Sequence, residues 1–128
     1  MKLASLICLS LIALRIGAVA EGQESLADIQ KERESVLKAI VEQAESEVKL
    51  GRAKPSHVAE AQINLLRFRS EIAKDVAEKK EHQRKIIAIM QELYSSTESL
   101  YRENRADPTE FLKVKERLLA EKQRLLEM

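Results

Sequence analysis

The side chains of this 128-residue chain best suited to reaction chemistry are His57, His82, Cys8 and a scatter of carboxylates and serines. A zinc site needs three or four His, Cys or carboxylate ligands converging within bonding distance. His57 and His82 are 25 positions apart, about 37 Å if one helix carries both, and no His-Glu-x-x-His spacing joins them. Glu42, Glu45, Glu47 and Glu60 alternate with Lys and Arg at helical spacings, as in Glu45/Lys49 and Glu78/His82. That is a solvated face with i,i+4 pairing, not a pocket that displaces a carboxylate pKa. Ser95, Ser96 and Ser99 have no His or Lys near them to activate a nucleophile, and no Gly-rich loop offers amides to a phosphate. These residues predict no catalytic group, no cofactor and no metal, and therefore a protein that is not an enzyme.

Any interacting residues must be positioned by helices. Three Gly, two Pro and no Trp accompany 34% charged residues. Turn-formers are too scarce for a sandwich or barrel, and Ala, Leu, Glu, Lys, Arg and Gln favour the helix. Residues 1–20 read differently, with Lys2, an apolar run from Leu3 to Leu14, and Ala18-Val19-Ala20. This is the layout of a secretory signal peptide cleaved after Ala20, which predicts an exported protein of the periplasm or cell envelope. Removing Lys2 and Arg15 leaves 20 basic against 21 acidic residues in 21–128, and Cys8 departs too. Near neutrality argues against nucleic acid as a partner. After cleavage no second apolar segment remains to span a membrane.

Leu26, Ile29, Val36, Leu37, Ile40, Val41, Ala44 and Val48 recur at helical spacing and end at Gly51. A second stripe runs Val58, Ala61, Leu65, Phe68, Ile72, Val76, and resumes at Ile86, Met90, Leu93, Thr97 and Leu100. With neither Gly nor Pro between, it predicts one long helix over about 56–103, the competing reading being a break near His82 that folds the chain into a compact bundle. Asp107-Pro108-Thr109-Glu110 opens a third helix with stripe Phe111, Val114, Leu118 and Leu125. The expected fold is all-α: three helices with a long central one, paired as elongated antiparallel hairpins of coiled-coil type. In the second hairpin Tyr101 should meet Phe111, Leu93 should meet Leu119, and Ile86 should meet Leu126. Narrow seams bury little, so self-association or another helical envelope protein is the expected partner.

The two turns correspond at an offset of 53 residues. Residues 44–74 and 97–127 share Glu45/Glu98, Ser46/Ser99, Arg52/Arg105, Ala53/Ala106, Pro55/Pro108, Leu65/Leu118 and Leu66/Leu119. Gly51 pairs with Asn104, both residue types that tolerate left-handed backbone. The reading is a duplicated helix-turn-helix unit within a domain over 21–128.

The run Val48-Lys49-Leu50-Gly51-Arg52-Ala53, followed by Val58-Ala59-Glu60-Ala61-Gln62 and Leu65-Leu66, resembles the hairpin segment of the outer-membrane efflux (TolC-like) family. The similarity covers about 47–73, and 100–126 more weakly. It implies helix association in the envelope and an efflux-related role, with Gly51, Arg52, Ala53, Val58, Ala61, Gln62 and Leu65 at the interacting turn. Pro55 and His57 depart from the pattern, and no membrane strand of about 9–11 residues accompanies it. Pro55 belongs to the proposed turn as well, and Asn104, Arg105, Ala106 and Pro108 are its counterparts in the second copy. The competing expectation is a periplasmic helical chaperone, or holdase.

Overall fold

The structure is a computed structural model and describes residues 24–128. The expected signal peptide over 1–20 lies outside the described residues. The chain divides into two compact units, one ending at Arg33 and one comprising Glu34–Met128. Four α-helices and no strand are present among the described residues: α1 Leu26–Lys49, α2 Pro55–Ile72, α3 Val76–Arg102 and α4 Pro108–Leu126. Helix α1 starts in the first unit, where Ser25 and Asp28 cap it reciprocally. The Asp28 N–H donates to Ser25 Oγ at 3.1 Å, and the Ser25 N–H donates to Asp28 Oδ2 at 3.3 Å.

The all-α class is as expected, but the long central helix is not. The segment 56–103 is two helices, α2 and α3, separated at residues 73–75. Ala73 leaves the helix with φ −62° and ψ 141°, and Asp75 becomes an N-cap whose carboxylate accepts the Glu78 N–H at 2.8 Å. Asp75 and Glu78 have the D-x-x-E spacing of a helix start. The break needs neither Gly nor Pro, because folding α3 back onto α2 buries Ile63 and Leu66 with Ile86 and Met90. A continuous helix would leave those side chains in water, at about 1.5–3 kcal/mol each.

The outer two connections share one geometry. At the end of α1 the Arg52 N–H donates to the Glu47 carbonyl at 2.8 Å, and the Gly51 N–H to Val48 at 3.0 Å. At the end of α3 the Arg105 N–H donates to Leu100 at 2.7 Å, and the Asn104 N–H to Tyr101 at 3.0 Å. Both are Schellman closures, and Gly51 (φ 70°) and Asn104 (φ 57°) hold the left-handed position each needs.

The core lies on α3, which is covered from two sides. Ile63 and Leu66 from α2, Ile86 and Met90 from α3, and Leu118 from α4 form one buried cluster, with Leu93 and Val114 packed against it. Helices α3 and α4 run antiparallel: Tyr101 stacks on Phe111 near the turn with centroids 4.7 Å apart, and Gln83 bonds Glu121 near the far end. The expected pairing of Tyr101 with Phe111 is thus observed. Those of Leu93 with Leu119 and Ile86 with Leu126 are not, because Leu119 and Leu126 point outward. Leu118, one residue (100° of helix) away from Leu119, holds the inner place.

Within the second unit α1 buries none of its side chains fully. Its apolar residues form two rows rather than one stripe. Leu37, Val41, Ala44 and Val48 are half-buried on the side of Glu34, whose carboxylate accepts from Arg69 Nε of α2 at 3.0 Å. Val36 and Ile40 stand on the adjoining face and are exposed.

Candidate functional site

The seam between α3 and α4 contains a polar bridge inside the apolar row. Helix α4 presents Phe111, Val114, Leu118, Glu121 and Leu125 inward at spacings of three and four; Leu118 and Glu121 are buried and the other three half-buried. Gln83 occupies the matching place on α3 and is 1% exposed. Its side-chain amide donates to the Glu121 carboxylate at 2.8 Å and to the Glu121 carbonyl at 2.9 Å. Arg67 of α2 donates to the other carboxylate oxygen at 2.6 Å. One carboxylate therefore ties three helices. Charge-assisted bonds of this kind are short and directional, and removing a partner strands a buried charge. The bridge fixes which faces of α2, α3 and α4 meet.

A second tie between α2 and α4 lies in solvent. Arg117 grips Glu60 with both guanidinium nitrogens, the Nη2–Oε2 contact being 3.2 Å. The hydrogen bond to Glu60 holds the Arg117 guanidinium above its ordinary pKa, its burial opposing and the nearby Glu60 and Glu121 charges adding. On α3 the hydrogen bond to Glu98 pushes the Tyr94 phenol above its ordinary value, with burial and the Glu98 charge acting the same way.

The sequence-predicted turn residues are brought to one end of the second unit. Gly51, Arg52, Ala53, Ser56 and His57 line a shallow recess together with Glu110 from the start of α4. Pro55 occupies the first turn of α2, and Pro108 that of α4, where Asp107 caps by accepting the Thr109 N–H at 3.2 Å. Arg105 is exposed and pairs with Glu103, and Ala106 is half-buried. Ala61 is buried, whereas Val58, Gln62 and Leu65 are half-buried on the flanks of α2. Val58 and Gln62 border a groove of about 340 Å³ where α2 lies against Ile89 and Leu93 of α3. A wider groove, about 520 Å³, runs along α1 and is lined by Val36, Ala39, Ile40, Ala44, Ala53 and His57.

The two histidines stand on different helices, so the spacing computed along one helix does not apply. His82 Nε2 is 3.8 Å from Glu78, and its buried Nδ1 has no hydrogen-bond partner. Among the described residues no group of three or more His, Cys, Asp or Glu could hold a metal ion. No helix among them is long and apolar enough to cross a membrane.

Sequence reasoning passed over the Gln83–Glu121–Arg67 bridge. Its signal was a gap: after Phe111, Val114 and Leu118 the spacing calls for an apolar residue at 121, and Glu stands there. No family model, no curated protein and no solved structure matches this chain.

Proposed function

We propose that this chain is a non-enzymatic, exported helical protein that acts through helix–helix association in the cell envelope. In this reading α1 with α2 and α3 with α4 act as hairpins of the coiled-coil type, and the resemblance of the turn to the TolC-like family suggests an efflux-related setting. One observation carries the reading: the outer face of α1 presents Val36, Ala39 and Ile40 along an open groove that Ala44 and Ala53 also line. An apolar row flanked by alanines is what a partner helix seats against. The turn residues supply the close approach at one end, and the polar bridge fixes the faces that remain outward.

The test is site-specific photo-crosslinking from position 40 in the cell envelope. Crosslinks to a helical envelope protein, or to the chain itself, are expected. Absence of any crosslink from position 40 or 36, with the protein present in that compartment, would refute the reading. Suppression of aggregation of a denatured client at substoichiometric ratios would favour a holdase instead.

A further inference from the structure

Among the described residues two apolar helix faces stand open, and they correspond to the two sides of a contact the chain already makes internally. Shifting α3 back by 53 residues places Ile89, Glu92, Leu93 and Ser96 on Val36, Ala39, Ile40 and Gln43 of α1. Shifting α2 forward by the same interval places Ala59, Gln62 and Leu66 on Leu112, Lys115 and Leu119 of α4. In the folded chain the α3 set borders the α2 set: Ala59 and Gln62 line one groove with Ile89 and Leu93, which are half-buried while Glu92 and Ser96 stay exposed, and Leu66 lies in the core with Ile86 and Met90. The counterparts on α1 and α4 are exposed, Val36 by 51%, Ile40 by 48%, Leu112 by 60% and Leu119 by 54%.

The shared offset is also visible in the backbone, since the Schellman closures at Gly51 and Asn104 use carbonyls 53 residues apart. Burial follows it in part: Leu65 is half-buried where Leu118 is buried, and Phe68 and Glu121 are both buried. So the face of α1 that holds Val36 and Ile40 is the face that, on α3, receives the preceding hairpin. A hairpin array buries each unit against its neighbours and leaves one unmatched face at each end. The offset also maps the core residues Ile63 and Ile86 onto Glu116 and Arg33, an acid against a base.

Resting on the helix-association reading and naming its partner, we propose that a second copy of this chain fills the groove: α4 of one copy docks on the outer face of α1 of the next, repeating the α2–α3 contact between chains. The joined faces are different, so the contact is head to tail, and it continues into a ring or an open row. A symmetric pairing of α1 with α1 would leave Leu112, Leu119 and Leu126 unused.

Sedimentation velocity on the full chain across a wide concentration range tests this, with Ile40→Glu and Leu119→Glu each blocking one face. The wild type should grow in mass with concentration, and each variant alone should sediment as a monomer. An equimolar mixture of the two should give a one-to-one pair that grows no further, because each supplies the face the other lost. Val36→Glu and Leu112→Glu replace them if either variant loses helicity by circular dichroism. A wild type that stays monomeric at hundreds of micromolar overturns the proposal, and so does a mixture that stays monomeric. Self-association by Leu119→Glu equal to wild type, with Ile40→Glu monomeric, would show α1-on-α1 pairing instead. If the wild type is monomeric while position 40 still crosslinks to another helical protein in the envelope, only the head-to-tail contact is lost and the broader function stands.

Discussion

Replacing Glu121 by Ala removes the acceptor that joins Gln83 and Arg67 across three helices. Gln83 keeps its bond to the Glu121 carbonyl, yet one amide proton at a fully buried position loses its carboxylate. The Arg67 guanidinium, with a side chain 30% exposed, loses its strongest partner but regains some hydration. Breaking a buried ion pair from one side costs about 3–5 kcal/mol, and that partial exposure lowers the figure to about 2–4 kcal/mol. For a domain of this size each kcal/mol moves the melting point by about 4–8 °C, so the drop should lie near 10–30 °C. Glu121→Leu combined with Gln83→Leu should behave differently. It removes both buried polar partners and completes the apolar row, returning stability to within about 1 kcal/mol of wild type or above it. Urea unfolding followed at 222 nm measures both, at two chain concentrations so that association is separated from folding. A loss below about 1 kcal/mol for Glu121→Ala would refute the reasoning, since that is what an exposed pair contributes.

Gly51→Ala should cost about 1–2 kcal/mol from left-handed strain alone, because a Cβ at Gly51 meets nothing within 4 Å; Gly51→Asn should cost less, and an unchanged melting curve for the alanine variant would contradict the Schellman closure. Asp75→Ala should destabilise by about 1 kcal/mol through loss of the α3 cap, read by the same urea titration. Arg117→Ala should cost about 0.2–1 kcal/mol, with the difference from wild type shrinking as salt rises to about 1 M. Tyr94, raised by its hydrogen bond to Glu98, should ionise above the ordinary phenol value of about 10. Its contribution to stability is present below that value and disappears as pH climbs through the higher folded value, which a spectrophotometric titration against Tyr94→Phe would show.

Much of the local structure could be read from residue types. Gly51 and Asn104 announced their turns because few residues accept positive φ, and Pro55 and Pro108 marked helix starts because they cannot stand in helix interiors. The Phe111, Val114, Leu118, Leu125 row fixed the inward face of α4. The break at 73–75 was harder, since Ala73, Lys74 and Asp75 all tolerate a helix and the phase of the apolar stripe runs through them. The candidate interaction faces were the least legible. Val36, Leu37, Ile40 and Val41 look equally apolar, and Leu118 and Leu119 differ by one position.

By itself the sequence determined an all-helical chain, the place and hand of its two outer turns, and their correspondence at 53 residues, because these depend on backbone chemistry local to a few residues. Tertiary structure alone decided that α2 and α3 separate, that Glu121 enters the interior to meet Gln83 and Arg67, and that Val36, Ile40, Leu112 and Leu119 face outward. Those outcomes depend on which helix covers which, and burial is shared between residues far apart in the chain.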